Sequence, residues 1–365
     1  MKKFKLLSIL LAFTFIFTAC GKQGQDENAT NETSTTQEAQ NNETATGEGE
    51  LMVLGIGSDP TTVNPLYAND RVSLTISHVL FDSPYNVKDG EIVYDGLAES
   101  MTASEDFLTY TLKIKENAKW HDGNPVVADD FIFTYNSIMD DKQNAPGQST
   151  FKTDSGIIEY KKIDDKTIEF NLPAVDMTFV QSIAEITPIA KHVYENEADL
   201  AKSSKNENPI GNGPFKFKEH KTGELYQVER FDDYHGDVAK LDGIAYKVIP
   251  DENASLVALE NGEISVSYID AKDVSKYESN GNFNIVSFPE GMVDNVFFKV
   301  SSDNMSDVKV RKAISYAIDK NKLIQGTYLS EEYANLLTHH SHLQQHSLVM
   351  MLKNMNITLK KLRAY

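Results

Sequence analysis

Leu108, Tyr110, Leu112 and Ile114 alternate with Thr109, Thr111, Lys113 and Lys115, the period-two pattern of a strand with one buried face. The polar break that follows, Trp120-His121-Asp122-Gly123, reads as a tight turn, because Asp-Gly supplies the positive φ that a reversal needs. From Asp130 to Ile138, Phe131, Tyr135 and Ile138 recur at helical spacing. The unbroken apolar run Leu51 to Ile56 predicts a buried strand, and the two prolines of Asp59 to Pro65 predict a loop after it. Further strands are expected at Thr167 to Leu172, Leu225 to Arg230, Tyr246 to Ile249 and Ile264 to Ile269. Between the last two, Ala254 to Asn261 reads as a helix stopped by Gly262 at the position where glycine is free of strain. Val310, Ala313, Ile314, Ala317 and Ile318 form a helical stripe with Ser306 and Asp307 at its start. The alternation of both periods predicts a mixed α/β body without internal repeats.

The first fifty residues follow neither period. A basic start at Lys2, Lys3 and Lys5 precedes the apolar run Leu6 to Phe17, too short to span a bilayer comfortably, as in a secretory signal. Phe17-Thr18-Ala19-Cys20 resembles a lipobox, with Phe17 in place of the usual Leu, and assigns the single cysteine, Cys20, as a lipid-attachment residue. An ordinary signal peptide ending near a chance cysteine, or an uncleaved anchor, is the competing reading. The absence of any other cysteine suits a protein that works outside the cell without disulfides. Gly21 to Glu50 holds no aromatic or large aliphatic residue, cannot offset its chain entropy by burial, and reads as a disordered polar tether. A net charge of −19 argues against nucleic acid and anionic membrane surfaces as partners, although solubility explains it equally well.

Four segments carry a family resemblance. Thr109 to Gly123, reading TYTLKIKENAKWHDG, is similar to the signature of the extracellular solute-binding proteins of family 5, which serve ABC importers of oligopeptides and dipeptides. Gly211 to Phe217, Leu259 to Ile264 and Asp307 to Asp319 agree in the family's order, so the resemblance covers roughly Leu51 to Leu329. It implies a two-lobed clamshell of the type II periplasmic-binding-protein class, with an extra subdomain in the first lobe. The implied division is 1–20 signal peptide, 21–50 tether, 51–270 first lobe, 271–335 hinge and start of the second lobe, and 336–365 an aberrant tail.

The resemblance further implies a short-peptide ligand, ABC permease subunits as membrane partners, a lipid anchor on the extracellular face of a single-membrane bacterium, and a monomer. It implies no enzyme activity, cofactor, metal or nucleic acid. Peptide sites of this kind hold the main chain by strand-like hydrogen bonds. By position, Asn69 and Arg71 in the segment after the first strand, Tyr268 and Asp270, and Asn295 and Phe297 are expected to reach the ligand. Each could instead belong to an ordinary surface loop or core strand. Trp120 is expected to plug the core beneath the Asp122-Gly123 turn rather than to stack on ligand. His235, standing where the family has tryptophan, is expected to face solvent.

The last thirty residues break the pattern. His339, His340, His342 and His346 resemble a metal-ligand cluster, but a shifted reading frame explains them better. Back-translating Val349 to Tyr365 with A/T-rich codons and reading two bases later gives Gly-Tyr-Asp-Val-Glu-Lys-Tyr-Glu-Tyr-Asn-Ile-Glu-Lys-Ala-Lys-Ser-Leu, the family's next segment. The chain therefore reads as a form truncated near Leu336, impaired, with most of the second lobe missing. Three function classes remain: a peptide-importer binding protein, a non-functional fragment, and a secreted enzyme, for which no catalytic motif is found. Within the family, nickel chelates, haem, sugars or signalling peptides are the alternative ligands. If Cys20 accepts lipid, Cys20→Ala abolishes metabolic labelling with a fatty-acid analogue and leaves the protein unprocessed or released; equal labelling of both forms sinks the assignment.

Overall fold

The computed structural model describes residues 50–88, 90–287, 296–329, 334 and 356–359. The leader, Cys20, nearly all of the tether and the histidine cluster lie outside the described residues.

Strand β1 (Leu51–Ile56) leads through the two-proline loop into helix α1 (Arg71–Leu80). Strands β2 (Ala98–Ala103) and β3 (Thr109–Ile114) precede helix α2 (Ala128–Met139), and β4 (Glu159–Asp164) and β5 (Thr167–Asn171) follow it. Then come β6 (Phe215–Lys221), β7 (Leu225–Arg230), β8 (Gly243–Val248), α3 (Glu252–Glu260), β9 (Val266–Ile269), α4 (Val274–Asn280) and β10 (Asn284–Ser287). Helices α5 (Asp303–Ser306), α6 (Val308–Ala317) and α7 (Lys320–Tyr328) follow, and β11 (Asn356–Leu359) is last.

Two sheets organise the body. The larger has the order β6-β7-β8-β1-β9-β11-β10, with β1 parallel to both β8 and β9. On the β8 side the ladder runs the length of β1, from Leu51–Gly243 to Ile56–Val248, whereas on the β9 side it is the single pair Leu54–Val266. The smaller sheet is antiparallel, in the order β2-β3-β5-β4. Tyr110, Leu112 and Ile114 are buried on one face of β3, as the alternation requires. They share one continuous core with Ile168 and Phe170 of β5, Phe131, Tyr135 and Ile138 of α2, Ile76 and Leu80 of α1, and Tyr226, Val228 and Tyr246 of the larger sheet.

Trp120 lies in that core, fully buried, and its indole N–H donates to Asp130 Oδ2 at 3.0 Å. The same carboxylate accepts the Val127 N–H at 2.9 Å and, through Oδ1, the Lys191 N–H at 2.9 Å. Burial pushes the Asp130 carboxyl up, and the hydrogen bonds it accepts oppose that shift. The turn below has Gly123 at φ +89°, as Asp-Gly predicts.

The two sheets are held together by a backbone clasp. Asn212 and Gly213 both donate their N–H to Leu80 O, at 3.0 and 2.9 Å, which satisfies the carboxyl end of α1. A Cβ at position 211 would stand 1.8 Å from that oxygen, so only glycine fits. Asn212, fully buried, accepts the Asp82 N–H through Oδ1 at 2.7 Å. His121 completes the clasp: its N–H donates to Gly211 O (2.7 Å), its Nδ1 accepts the Gly211 N–H (3.1 Å), and its Nε2–H donates to Gly213 O (3.1 Å). That pattern uses the neutral ring.

The structure corrects the placement of His235. Its side chain is fully buried, with Nε2 3.1 Å from Asp82 Oδ2 but not aligned for a hydrogen bond, and its ring packs 4.4 Å from that of Tyr234. Packing of its ring against Tyr234 takes the imidazole out of solvent in spite of its polarity. Strands β8 and β9 also shift slightly from the expected bounds, to Gly243–Val248 and Val266–Ile269. The expected tail meets one finding: the backbone of Asn356–Leu359 runs antiparallel between β9 and β10.

Burial pushes the His121 imidazole from its ordinary 6.5 down to about 4. Above pH 6.5 the ring is neutral in both states and the clasp contributes fully. As the pH falls from 6.5 towards 4, the unfolded chain takes up the proton and the folded one does not, so stability is lost across that window, by about 3 kcal/mol at most. Urea unfolding at stepped pH is expected to show this loss in the wild type and a flatter profile in His121→Gln; identical slopes would remove His121 as the cause.

Candidate functional site

In an open sheet with parallel strands, ligands collect outside the carboxyl ends of those strands, where the connecting loops part. Here that edge is formed by the ends of β1 and β9, the loop 57–70 and the amino end of α1.

The loop is fixed at both of its ends. Asp70 caps α1 by accepting the Ser73 N–H at 2.9 Å, and it also accepts the hydroxyls of Ser73 (2.6 Å) and Thr61 (2.5 Å). Burial raises the Asp70 carboxyl, but the hydrogen bonds from Ser73 and Thr61 outweigh it and hold the group below the usual carboxylate range. Ser73 Oγ in turn accepts the Thr61 N–H at 2.9 Å. Earlier in the loop, the buried Asn64 accepts the Leu66 N–H through Oδ1 (3.0 Å) and donates Nδ2–H to Asn206 Oδ1 (3.1 Å). Asn206 also accepts the Tyr194 hydroxyl (2.9 Å) and donates to Leu200 O (2.9 Å). Tyr67 donates its hydroxyl to Gln143 O at 3.1 Å.

Of the six residues expected to reach a ligand, the structure brings two together. Arg71 is the first residue of α1, and its guanidinium carbon lies 5.7 Å from the centre of the Tyr268 ring, a cation–π arrangement across the β1–β9 seam. Tyr268 is half-buried between the buried Ser267 and Ile269. Asp270 is exposed just past the end of β9 and pairs with Lys272 Nζ at 2.7 Å. Asn69 is exposed in the loop, one residue before the cap. Phe297 is 90% exposed and Asn295 lies outside the described residues, so neither joins this group.

Sequence reasoning missed Asn64, Ser73 and Asn206, which hold the loop rather than face the ligand. Asn64-Pro65 marks a loop, but its partner is 142 residues away, beyond the reach of any local pattern. Chemically, the edge offers a delocalised cation on an aromatic platform and a carboxylate nearby in sequence, groups suited to binding. Among the described residues, no group of three or more His, Cys, Asp or Glu side chains converges as a metal site.

Comparison with known proteins matches residues 93–345 to the family described as bacterial extracellular solute-binding proteins, family 5 middle. The oligopeptide-binding protein AppA of Bacillus subtilis is 31% identical over 324 residues, covering 87% of this chain and 57% of that protein. Its structure in complex with a nonapeptide superposes with a TM-score of 0.70 over 80% of this chain and 57% of that one, at 30% identity. The ABC transporter substrate-binding protein CtaP of Listeria monocytogenes superposes with a TM-score of 0.71 at 40% identity, over 79% of this chain and 58% of that one. NikZ of Campylobacter jejuni, solved with Ni(L-His), gives 0.69 at 26% identity over 79% and 57%. The chain thus spans little more than half the length of these relatives.

Proposed function

The chain belongs to the bacterial extracellular solute-binding proteins of family 5, and on that premise we propose that it derives from the substrate-binding lipoprotein of an ABC importer of oligopeptides or dipeptides. Likeness to AppA, solved with a nonapeptide, supports a peptide ligand. The observation that carries the reading is the Arg71–Tyr268 pair at the carboxyl edge of β1 and β9, beside a loop held rigidly by Asp70 and Asn64. Arg71 suits a peptide carboxylate, which guanidinium takes in a two-pronged hydrogen bond, and Asp270 suits an ammonium. Tyr268, on a strand edge, is placed to support an extended main chain.

The same proposal includes a lipid anchor at Cys20, a tether over 21–50, a first lobe over 51–270, a hinge and start of the second lobe over 271–335, an aberrant tail over 336–365, permease subunits as partners, and a monomer at the outer face of the membrane. It also holds that this polypeptide is an impaired, truncated form. Support comes from α5, α6 and α7, none of whose residues is buried. A nickel chelate is the second reading, favoured by the likeness to NikZ solved with Ni(L-His).

Calorimetry on the product of a locus restored to the shifted frame tests the assignment. Di- to hexapeptides are expected to bind without turnover, and Arg71→Ala is expected to weaken them about tenfold or more, the loss of a hydrogen bond to a charged group. Heat released by nickel–histidine complexes but by no peptide would transfer the assignment to the second reading. The unrestored chain is expected to bind neither.

A further inference from the structure

Just past the end of β1, the loop 57–70 is held at Asp59 by partners distant in sequence. Asp59 Oδ2 accepts the Gly223 N–H at 2.8 Å, and Asp59 Oδ1 lies 3.1 Å from His220 Nε2. Both partners sit where β6 turns into β7, and Gly223 takes φ +77° there, which suits glycine. That turn is tied to the sheet in its own right: the Glu224 N–H donates to Lys221 O at 2.9 Å, and the Val248 N–H at the end of β8 donates to Glu224 O at 2.9 Å. It is a fixed post, and Asp59 fastens the loop to it. We propose that Asp59 is a positioning residue of the candidate edge, latching loop 57–70 to the β6–β7 turn, and that protonation of His220 sets how tightly the latch closes. The consequence for a ligand rests on the reading of that edge as a peptide site; the latch itself does not.

The loop's other pins join Asp70 to Ser73 and Thr61, and Asn64 to Asn206, and neither contains an imidazole, the side chain whose charge ordinarily changes between about pH 5 and 8. An imidazolium at 220 donates Nε2–H to the carboxylate in a charge-assisted bond. The neutral ring offers an uncharged N–H or, in its other tautomer, a lone pair facing the carboxylate. The latch therefore tightens as the pH falls, opposite in sign to the His121 clasp. With side chains 27% and 26% exposed, the pair is screened only in part. Tyr226 stands opposite His220 in register on β7, its ring 5.2 Å away. On β6 itself lie Lys218 and the ion pair of Lys221 with Glu219 at 3.0 Å, and Glu224 follows the turn. Helix α1, which packs against β6, carries Arg71 and His78 at exposed positions. Of these groups, Asp59 is the charge whose oxygen reaches the imidazole.

Hydrogen exchange of the full chain at about pH 6 and about pH 8, expressed as protection factors so that the intrinsic pH dependence cancels, tests the latch without any ligand. Amides over 58–62 and 221–224 are expected to be about fivefold less protected at the higher pH. Amides of the β1–β8 ladder, which follow the His121 clasp, are expected to lose no protection over the same step. Asp59→Asn keeps an acceptor for the Gly223 N–H, and His220→Gln keeps a neutral donor; each is expected to abolish the pH dependence at both segments. The wild-type comparison stands even where a variant fails to fold. Equal protection at the two pH values, a loss shared by the ladder, or a pH dependence that survives in either folded variant overturns the proposal. None of these outcomes depends on peptide binding, so a failure of the peptide reading shows separately, in the calorimetry.

Discussion

The body depends on the contact between a glycine-bounded loop and the end of one helix. Leu80 O takes two N–H donors from residues 212 and 213, and the approach is so close that a side chain at 211 has no room. This contact removes an unsatisfied carbonyl from the end of α1, and through His121 it ties α1 to the turn that carries Trp120. Because Trp120 is bonded to Asp130 on α2, the smaller sheet and its helix are referenced to the larger sheet through one run of backbone. The presentation of Arg71 at the far end of α1 inherits that reference.

Burial is less orderly around Asp82. Its carboxylate accepts the Tyr234 hydroxyl at 2.7 Å, while the buried His235 ring nitrogens and Asn212 Nδ2 lack hydrogen-bond partners. Buried polar atoms without partners cost free energy that packing must offset, and here the packing is the ring contact of Tyr234 with His235. The imidazole is held there by its ring contact and not by hydrogen bonds. The shape is filled while the polarity is left unmatched.

Much of the fold was legible in the sequence because it is encoded at short range. The alternation over Leu108 to Ile114, the spacing of Phe131, Tyr135 and Ile138, and the stop at Gly262 each specify an element within a few residues, and each element is present. The apolar stripe of α6 was equally legible as a helix, although no residue of that helix is buried. Illegible features were those joined across the chain. Nothing near Asn64 announces Asn206, and nothing near His235 announces its burial against Asp82 and Tyr234. The candidate site divides in the same way. Arg71 and Tyr268 could be nominated from family position, but their meeting across almost two hundred residues is a product of sheet order.

That sheet order has a mechanical side. Strand β1 is laced to β8 along its whole length and to β9 at one residue pair only. Ser265 and Val53 add two short links close to that same pair: the Ser265 N–H donates to Val53 O at 2.7 Å, and Ser265 Oγ accepts the Val53 N–H at 3.3 Å. Arg71 rides with the well-laced half, and Tyr268 with the half that hangs on the short seam. A small twist about Leu54–Val266 would therefore change the spacing between guanidinium and ring while breaking little of the ladder. The aperture of the candidate edge is in this sense a hinge with its thinnest leaf at one residue pair, so strand pairing bears on its width as directly as the loops that line it.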